Sequence, residues 1–446
     1  MKQKTKILLT MILFAACNGL FAQSGKIDFV EYNLDNGLHV ILHQDNSTPI
    51  VAVSILYHVG SKNENADRTG FAHFFEHLMF EGSPNIKRGE YFKIAQNAGA
   101  VNNANTTWDR TFYFEILPSN QLELGLWLES ERLFHLRIDS VGVETQRGVV
   151  KEEKKQSFDN RPYGSLIQQT FAHAYKVHPY RWIPIGSDQY IDKATLAEFK
   201  EFHDLYYVPN NATLSIAGDI DIKQAKEWIK KYFNDIPKGT KEIVRPKIVE
   251  PPQTAEVRDV VYDNIQLPAV VEAYHMPAQG TDDYYAISML TTLLSDGESS
   301  RLTKSVVDKQ QKAMVVESVP IALEDPGLFL VFGVVNSGVK AEELEKAIDA
   351  ELDRVKTEAL TDNEFQKLKN KTENDFVNDN STQVGIAEHL ANYYTYFGDA
   401  NLINTEIQRY MKVTKEDIMR VAKKYLTKEN RVVLYYLPKS ENKGGK

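Results

Sequence analysis

The sequence predicts two related domains of mixed helix and strand, α+β or α/β in class, on three observations. Strand-like runs such as Val51–Tyr57 and Leu328–Val335 alternate with long amphipathic helices such as Ile222–Phe233 and Ala341–Thr357. A helix-then-strand pattern recurs at a fixed spacing of 219 residues. Thr195 with Glu198, and Thr414 with Asp417, each read as a hydroxyl cap with an acid three residues on. Tyr206 and Asn211 follow the first, Tyr425 and Asn430 the second, and each Asn leads into a β-rich run. Between the two copies, Pro237, Pro246, Pro251 and Pro252 sit among mixed charges, which is linker composition.

Taken in order, residues 1–22 read as a secretory signal. Lys2, Lys4 and Lys6 precede the apolar stretch Ile7–Ala16, and small residues follow. Cleavage after Ala22 gives a soluble exported protein, periplasmic or extracellular, and is the preferred reading. Cleavage before Cys17 would give a lipid anchor there, although Phe14 stands where such signals usually carry Leu. An N-terminal domain follows over 28–236, a linker over 237–254 and a C-terminal domain over 255–440; Lys439–Lys446 reads as a frayed basic tail. The chain has 446 residues, enough for two or three domains at about 150 residues each. A hydrophobic content of 42% excludes a wholly disordered chain, and no later run of about 20 apolar residues supports a membrane span. The net charge of -9 argues against nucleic acid, because phosphate binding needs a clustered positive face. Cys17 is the single cysteine, so a mature chain has no disulfide and must hold any metal through His and carboxylate.

The sharpest local signal is Gly70-Phe-Ala-His73-Phe-Phe-Glu76-His77-Leu-Met-Phe-Glu-Gly82. On a helix, His73 and His77 project from one face, about 5–6 Å apart at Cβ, where two imidazoles can grip one zinc ion. Glu76 stands beside them as a base, and the flanking aromatics would bury the other faces. The bland alternative is two ordinary histidines and a surface Glu. Two histidines do not complete a zinc site; a third ligand must come from elsewhere, leaving one position for water. In Gln146-Arg-Gly-Val-Val-Lys-Glu152-Glu153, the residues Gln146, Val150 and Glu153 share a helix face while Glu152 points about 100° away. Alone, that stretch is a solvated charged helix.

His-x-x-Glu-His is the inverted zinc-peptidase motif, and the chain resembles the pitrilysin/insulin-degrading-enzyme family, including the mitochondrial processing peptidases. The likeness runs from about Phe29 to Pro438 and is stronger in the first half; His178-Pro-Tyr, Gly186 and Tyr207–Asp219 carry further landmarks. It implies two related domains, each a mixed sheet packed against helices, facing each other around a peptide chamber. It implies a zinc metalloendopeptidase with one Zn2+ per chain held by His73, His77 and Glu153, since the family's ligand Glu lies about 76 residues after the second His. Glu76 would be the catalytic base. Asn103 and Ala104, in Gly99-Ala-Val-Asn-Asn-Ala-Asn-Thr-Thr-Trp-Asp-Arg-Thr-Phe-Tyr113, would lie on an edge strand whose backbone pairs with the peptide substrate.

Two departures qualify the resemblance. Gln146 stands where the family usually has a Glu behind the metal ligands, so it can bond there but adds no charge. In the second half, Asp296–Leu302 resembles the family's Gly/Ser turn, but the Arg and Tyr that hold substrate align with Val307 and Met314, which donate no hydrogen bond. The expected partner is therefore a related subunit supplying those donors, or a second copy in a homodimer. The competing reading is a non-catalytic scaffold subunit that keeps the peptidase fold. His39, His43, His58, His135, His173, His203, His275 and His389 show no ligand spacing and read mostly as core or surface histidines.

Overall fold

A computed structural model describes residues 25–441; the signal reading of 1–22 and the anchor at Cys17 lie outside the described residues. The first sheet comprises β1 (Val30–Asn33), β2 (His39–Gln44), β3 (Ile50–Tyr57), β4 (Val101–Thr106), β5 (Thr111–Pro118) and β6 (Ala212–Gly218), in spatial order β1-β2-β6-β3-β5-β4. The second comprises β7 (Val257–Asp263), β8 (Ala269–His275), β9 (Ala313–Ile321), β10 (Leu328–Val335) and β11 (Arg431–Pro438), in order β7-β11-β8-β10-β9. Without β1 the two orders superimpose strand for strand. Each sheet is mixed, with one parallel pair (β2–β6 and β7–β11) and the rest antiparallel. The fold is α+β, in two related units.

The repeat extends to its hydrogen bonds. Thr195 and Thr414 both close capping boxes, on helices Leu196–Tyr206 and Lys415–Tyr425. Asn211 Nδ2 donates to Tyr206 O at 2.7 Å, and Asn430 Nδ2 to Tyr425 O at 2.8 Å, fixing the turn from helix to strand in both copies.

Each sheet buries one face under helices of its own half. On the other face the halves exchange a helix. Helix Gln383–Phe397 lays Ile386, Ala387 and Leu390 on Ile41, Ala52 and Ala217 of the first sheet. Helix Leu166–Ala174 sets Phe171 and Ala174 against Val271, Ala273 and Leu434 of the second. A division by chain position alone does not foresee this exchange. The proline-rich segment between the sheets has no helix or strand over 237–256, yet it is pinned. Arg245 donates to Asn211 Oδ1 at 2.5 Å, and Glu250 accepts from the backbone N–H groups of Lys176, Val177 and His178. No helix among the described residues is long and apolar enough to cross a membrane.

Candidate metal centre

His73, Glu76 and His77 lie on helix Phe71–Leu78. Phe71, Phe74, Phe75 and Leu78 are buried on its other faces, each worth about 1.5–3 kcal/mol of transfer free energy. Phe71 and Phe74 stack on Phe199 with centroids 4.7 and 4.5 Å apart, and Tyr113 Oη donates to Phe75 O at 3.1 Å. The N-cap residue is Gly70, at φ +100°, which has no side chain to satisfy the first N–H groups of the helix. Glu64 does so from the preceding loop: its carboxylate accepts from Gly70 N and Ala72 N, both at 2.8 Å. Burial pushes its pKa up to about 8, opposed by those backbone N–H donors. Gly70 in turn admits Gly186, where an added Cβ would meet Gly70 Cα at 2.4 Å.

Glu153 lies at the end of helix Ser140–Lys154, which Asp139 caps by accepting from Gly142 N at 2.8 Å. Its carboxylate faces the two histidines while Glu152 is exposed and accepts from Gln156 instead. His77 Nε2 is 3.0 Å and His73 Nε2 3.6 Å from Glu153. One ligand atom from each of His73, His77 and Glu153 falls within 4.8 Å of the other two. His73 Nδ1 is buried without a hydrogen-bond partner. The two imidazoles beside it, His73 first, hold the Glu153 carboxyl well below the usual carboxylate range. Two imidazoles and a carboxylate this close together are a donor set that fits a borderline cation such as zinc.

Glu76 is half-buried and accepts from Thr106 Oγ1 at 2.6 Å. Thr106 ends β4, the outermost strand of its sheet among the described residues, and Asn103 and Ala104 lie on it opposite Phe114 and Tyr113. The group of His73, Glu76 and His77 thus adjoins an open sheet edge. Gln146 Nε2 donates to Glu81 Oε1 at 2.6 Å, and among the described residues no hydrogen bond joins it to His73, His77 or Glu153. Glu81 also binds Arg88. A Glu at position 146 would set two carboxylates against each other, so an amide is the group this neighbourhood accommodates. Val307 is half-buried against the second core, and Met314 is 59% exposed on β9, the edge strand that corresponds to β4.

Sequence reasoning missed Glu64 and Thr106. A glycine at the N-cap of an otherwise well-packed helix signals that a cap must come from elsewhere; nothing local points to Thr106.

Comparison with known proteins follows the same division. Residues 39–182 match the family model described as Insulinase (Peptidase family M16), and residues 193–372 match that described as Peptidase M16 inactive domain. The zinc protease PqqE of Helicobacter pylori is 34% identical over 435 residues, 97% of this chain and 98% of that protein. An uncharacterized zinc protease of Bacillus subtilis, YmxG, is 22% identical over 341 residues, 76% of this chain and 81% of that one. The crystal structure of a protease from Helicobacter pylori superposes with a TM-score of 0.88 at 33% identity, covering 92% of this chain and all 100% of that one. The periplasmic protease PqqL from Escherichia coli shares the fold at a TM-score of 0.75 and 19% identity, over 92% of this chain but 47% of its own length.

Proposed function

The chain belongs to the insulinase family of peptidases, family M16, and on that premise we propose that it is an exported zinc metalloendopeptidase acting on peptides or unfolded segments as the metal-bearing member of a pair. The observation that carries this reading is the convergence of His73, His77 and Glu153, with Glu76 alongside, at an open sheet edge. Zinc held by those three residues would supply a Lewis acid that polarises the scissile carbonyl and acidifies water. Glu76 takes the proton of the attacking water and passes it to the leaving amine. Thr106 Oγ1 donates to Glu76 Oε2 and so holds that carboxylate in place, with Oε1 left as the oxygen to take the proton. An extended peptide pairs with the β4 backbone near Asn103 and Ala104, which gives affinity with little demand on sequence.

Pairing is supported by Val307 and Met314, whose side chains offer no donor to the substrate, so a related chain or a second copy supplies it and completes the chamber. Export rests on residues 1–22.

The test is cleavage of a quenched-fluorescent peptide pool by the mature chain, alone and in its native assembly, with Glu76→Gln as control. Glu76→Gln is expected to keep zinc and to lose about 100-fold or more in turnover. Wild-type turnover in that variant would sink the assignment of the base, and failure of the wild-type chain to bind zinc would revive the scaffold reading. A fully active monomer by size-exclusion chromatography with mass determination would remove the pairing.

A further inference from the structure

We infer that Lys62 is a positioning residue through which the half without the metal group braces both sides of the candidate active site. Lys62 is charged yet only 3% exposed, and three carboxylates converge on its Nζ. Asp109 Oδ1 lies at 2.9 Å and Asp325 Oδ2 at 3.3 Å, and Glu324 forms the third, closest contact. Asp109 belongs to the first half. Glu324 and Asp325 sit on the loop between β9 and β10 of the second.

That loop is fixed within its own half. Met276 N donates to Gly327 O at 2.9 Å and Gln279 N to Leu323 O at 3.0 Å; a Cβ on Gly327 would meet Ile321 O at 2.1 Å. First-half groups grip it around the lysine. His58 Nε2 is 3.0 Å from Glu324, His178 Nε2 is 3.4 Å from Asp325, and Tyr180 Oη donates to Asp109 at 2.7 Å while accepting from Asp325 N at 3.0 Å. Glu324 N also donates to Asp109 Oδ2 at 2.9 Å. Burial opposes charge on Glu324, but His58 and Lys62 bring its pKa down to about 2.

From Lys62 two short paths reach the site. Along the chain, Lys62 is two residues before Glu64, whose side chain, alone among the described residues, caps the helix that carries His73, Glu76 and His77. Across the chain, Ser61 N and Lys62 N donate to Thr107 O and Trp108 O at 3.2 and 2.9 Å, tying the segment to the turn that follows β4. Gly60 permits that approach, since a Cβ there would meet Trp108 O at 2.3 Å. The turn directly follows Thr106, which holds Glu76. One buried ammonium therefore registers the general base and the substrate edge against each other from a loop more than 200 residues away in sequence. As a claim about catalysis it rests on the peptidase reading; as a claim about the structure it does not.

The test uses full mature chains carrying Glu324→Gln with Asp325→Asn, and separately Lys62→Met with Lys62→Arg as the conservative rescue. Amide hydrogen exchange is read over residues 60–78 and 101–110, and kcat and KM are read on the peptide pool. The brace predicts faster exchange confined to those two segments in the Glu324/Asp325 variant, zinc still bound, and kcat down about 10- to 100-fold with a smaller change in KM. Lys62→Arg should recover part of kcat. Unchanged exchange at Gly70 and Ala72, or a rise spread evenly over both halves with kcat intact in the folded fraction, overturns it. If Lys62→Met fails to fold, the Glu324/Asp325 variant decides alone. A wild-type chain that cleaves no peptide would remove the peptidase reading, and the exchange result would still decide the brace.

Discussion

Each half gathers three groups of metal-ligand type around one point, two imidazoles and a carboxylate in the first and three carboxyl groups in the second, but only the second supplies a cation of its own among the described residues. In the second half Glu272, Glu345 and Asp349 lie as close together as metal ligands do. Arg431, 2% exposed, fills the space between them: its guanidinium reaches Asp349 at 2.6 Å, Glu345 at 3.3 Å and Glu272 at 3.5 Å, and also binds Glu256. Arg431 opens β11, whereas Ala212 opens β6 at the corresponding place in the first half. In the first half His73, His77 and Glu153 converge with no Lys or Arg among them in the described residues, and the buried His73 Nδ1 has no hydrogen-bond partner. A repeated fold thus holds one cluster closed by its own arginine and one, the proposed zinc site, that carries no such cation among the described residues.

Breaking the closed cluster should have the largest effect. Arg431→Met leaves Glu272 and Asp349 without their ion-pair partner, while Glu256 and Glu345 keep Arg258, and removing one partner of a buried ionic network costs about 3–5 kcal/mol. Chemical denaturation of the variant should show that loss; a midpoint unchanged from wild type would mean the arginine is dispensable. In the open cluster the effect should be smaller. Glu153→Gln removes a half-buried carboxylate that the two imidazoles stabilise, so the metal-free protein should lose some stability, but less than Arg431→Met does. Its zinc affinity, titrated against a competing chelator, should fall roughly 100-fold or more, beyond what is lost when only a residue supporting a ligand is changed. Affinity within about threefold of wild type would exclude Glu153 as a ligand.

How much of this was legible in the sequence differs between the same regions. His73, Glu76 and His77 are local, and helix periodicity alone put both imidazoles on one face. For Glu153 periodicity chose the face but not the destination, which came from the family resemblance. Arg431 and Lys62 were not legible. Each sits in a polar stretch, Glu429-Asn-Arg431 and Ser61-Lys-Asn63, whose burial is created by partners 47 to 263 residues away in the chain. The exchanged helices were hidden for a related reason: Ile386, Ala387 and Leu390 make an apolar stripe that would suit either sheet, and only assembly decides which one it covers.

The closed cluster should also carry a pH dependence that sharpens the contrast. Glu272 is fully buried; desolvation, with Asp349 and Glu345 nearby, raises its pKa from an ordinary 4.5 to about 8, while Tyr274 and Arg431 oppose the shift. A carboxyl raised on folding contributes stability that is complete below pH 4.5 and is lost as pH rises through about 8. Stability should therefore decline between about pH 5 and 8 by at most about 1.4 kcal/mol per pH unit from this group. Glu272→Gln should flatten that decline. An identical pH profile in the variant would assign the slope to other groups.

The smallest effect tests the repeat itself. Thr195 and Thr414 occupy the same place in the two halves, each accepting from the backbone N–H three residues on while the acid there reaches back to its own N–H. Both caps are exposed, so neither draws on its half's buried charges, and replacing a capping Thr by Ala typically costs about 1 kcal/mol. If the halves repeat one local design, Thr195→Ala and Thr414→Ala should lower stability by similar amounts, measured as shifts in denaturation midpoint at constant slope. The costs should also add in the double variant, because the two sites share no partner. A loss at one site only would mean that the two helices are set by different forces despite their common pattern. In that case Glu198, which also receives Arg68 Nε at 2.8 Å, is where the difference should lie, since among the described residues its counterpart Asp417 takes Arg420 from its own helix instead of an arginine from a distant segment.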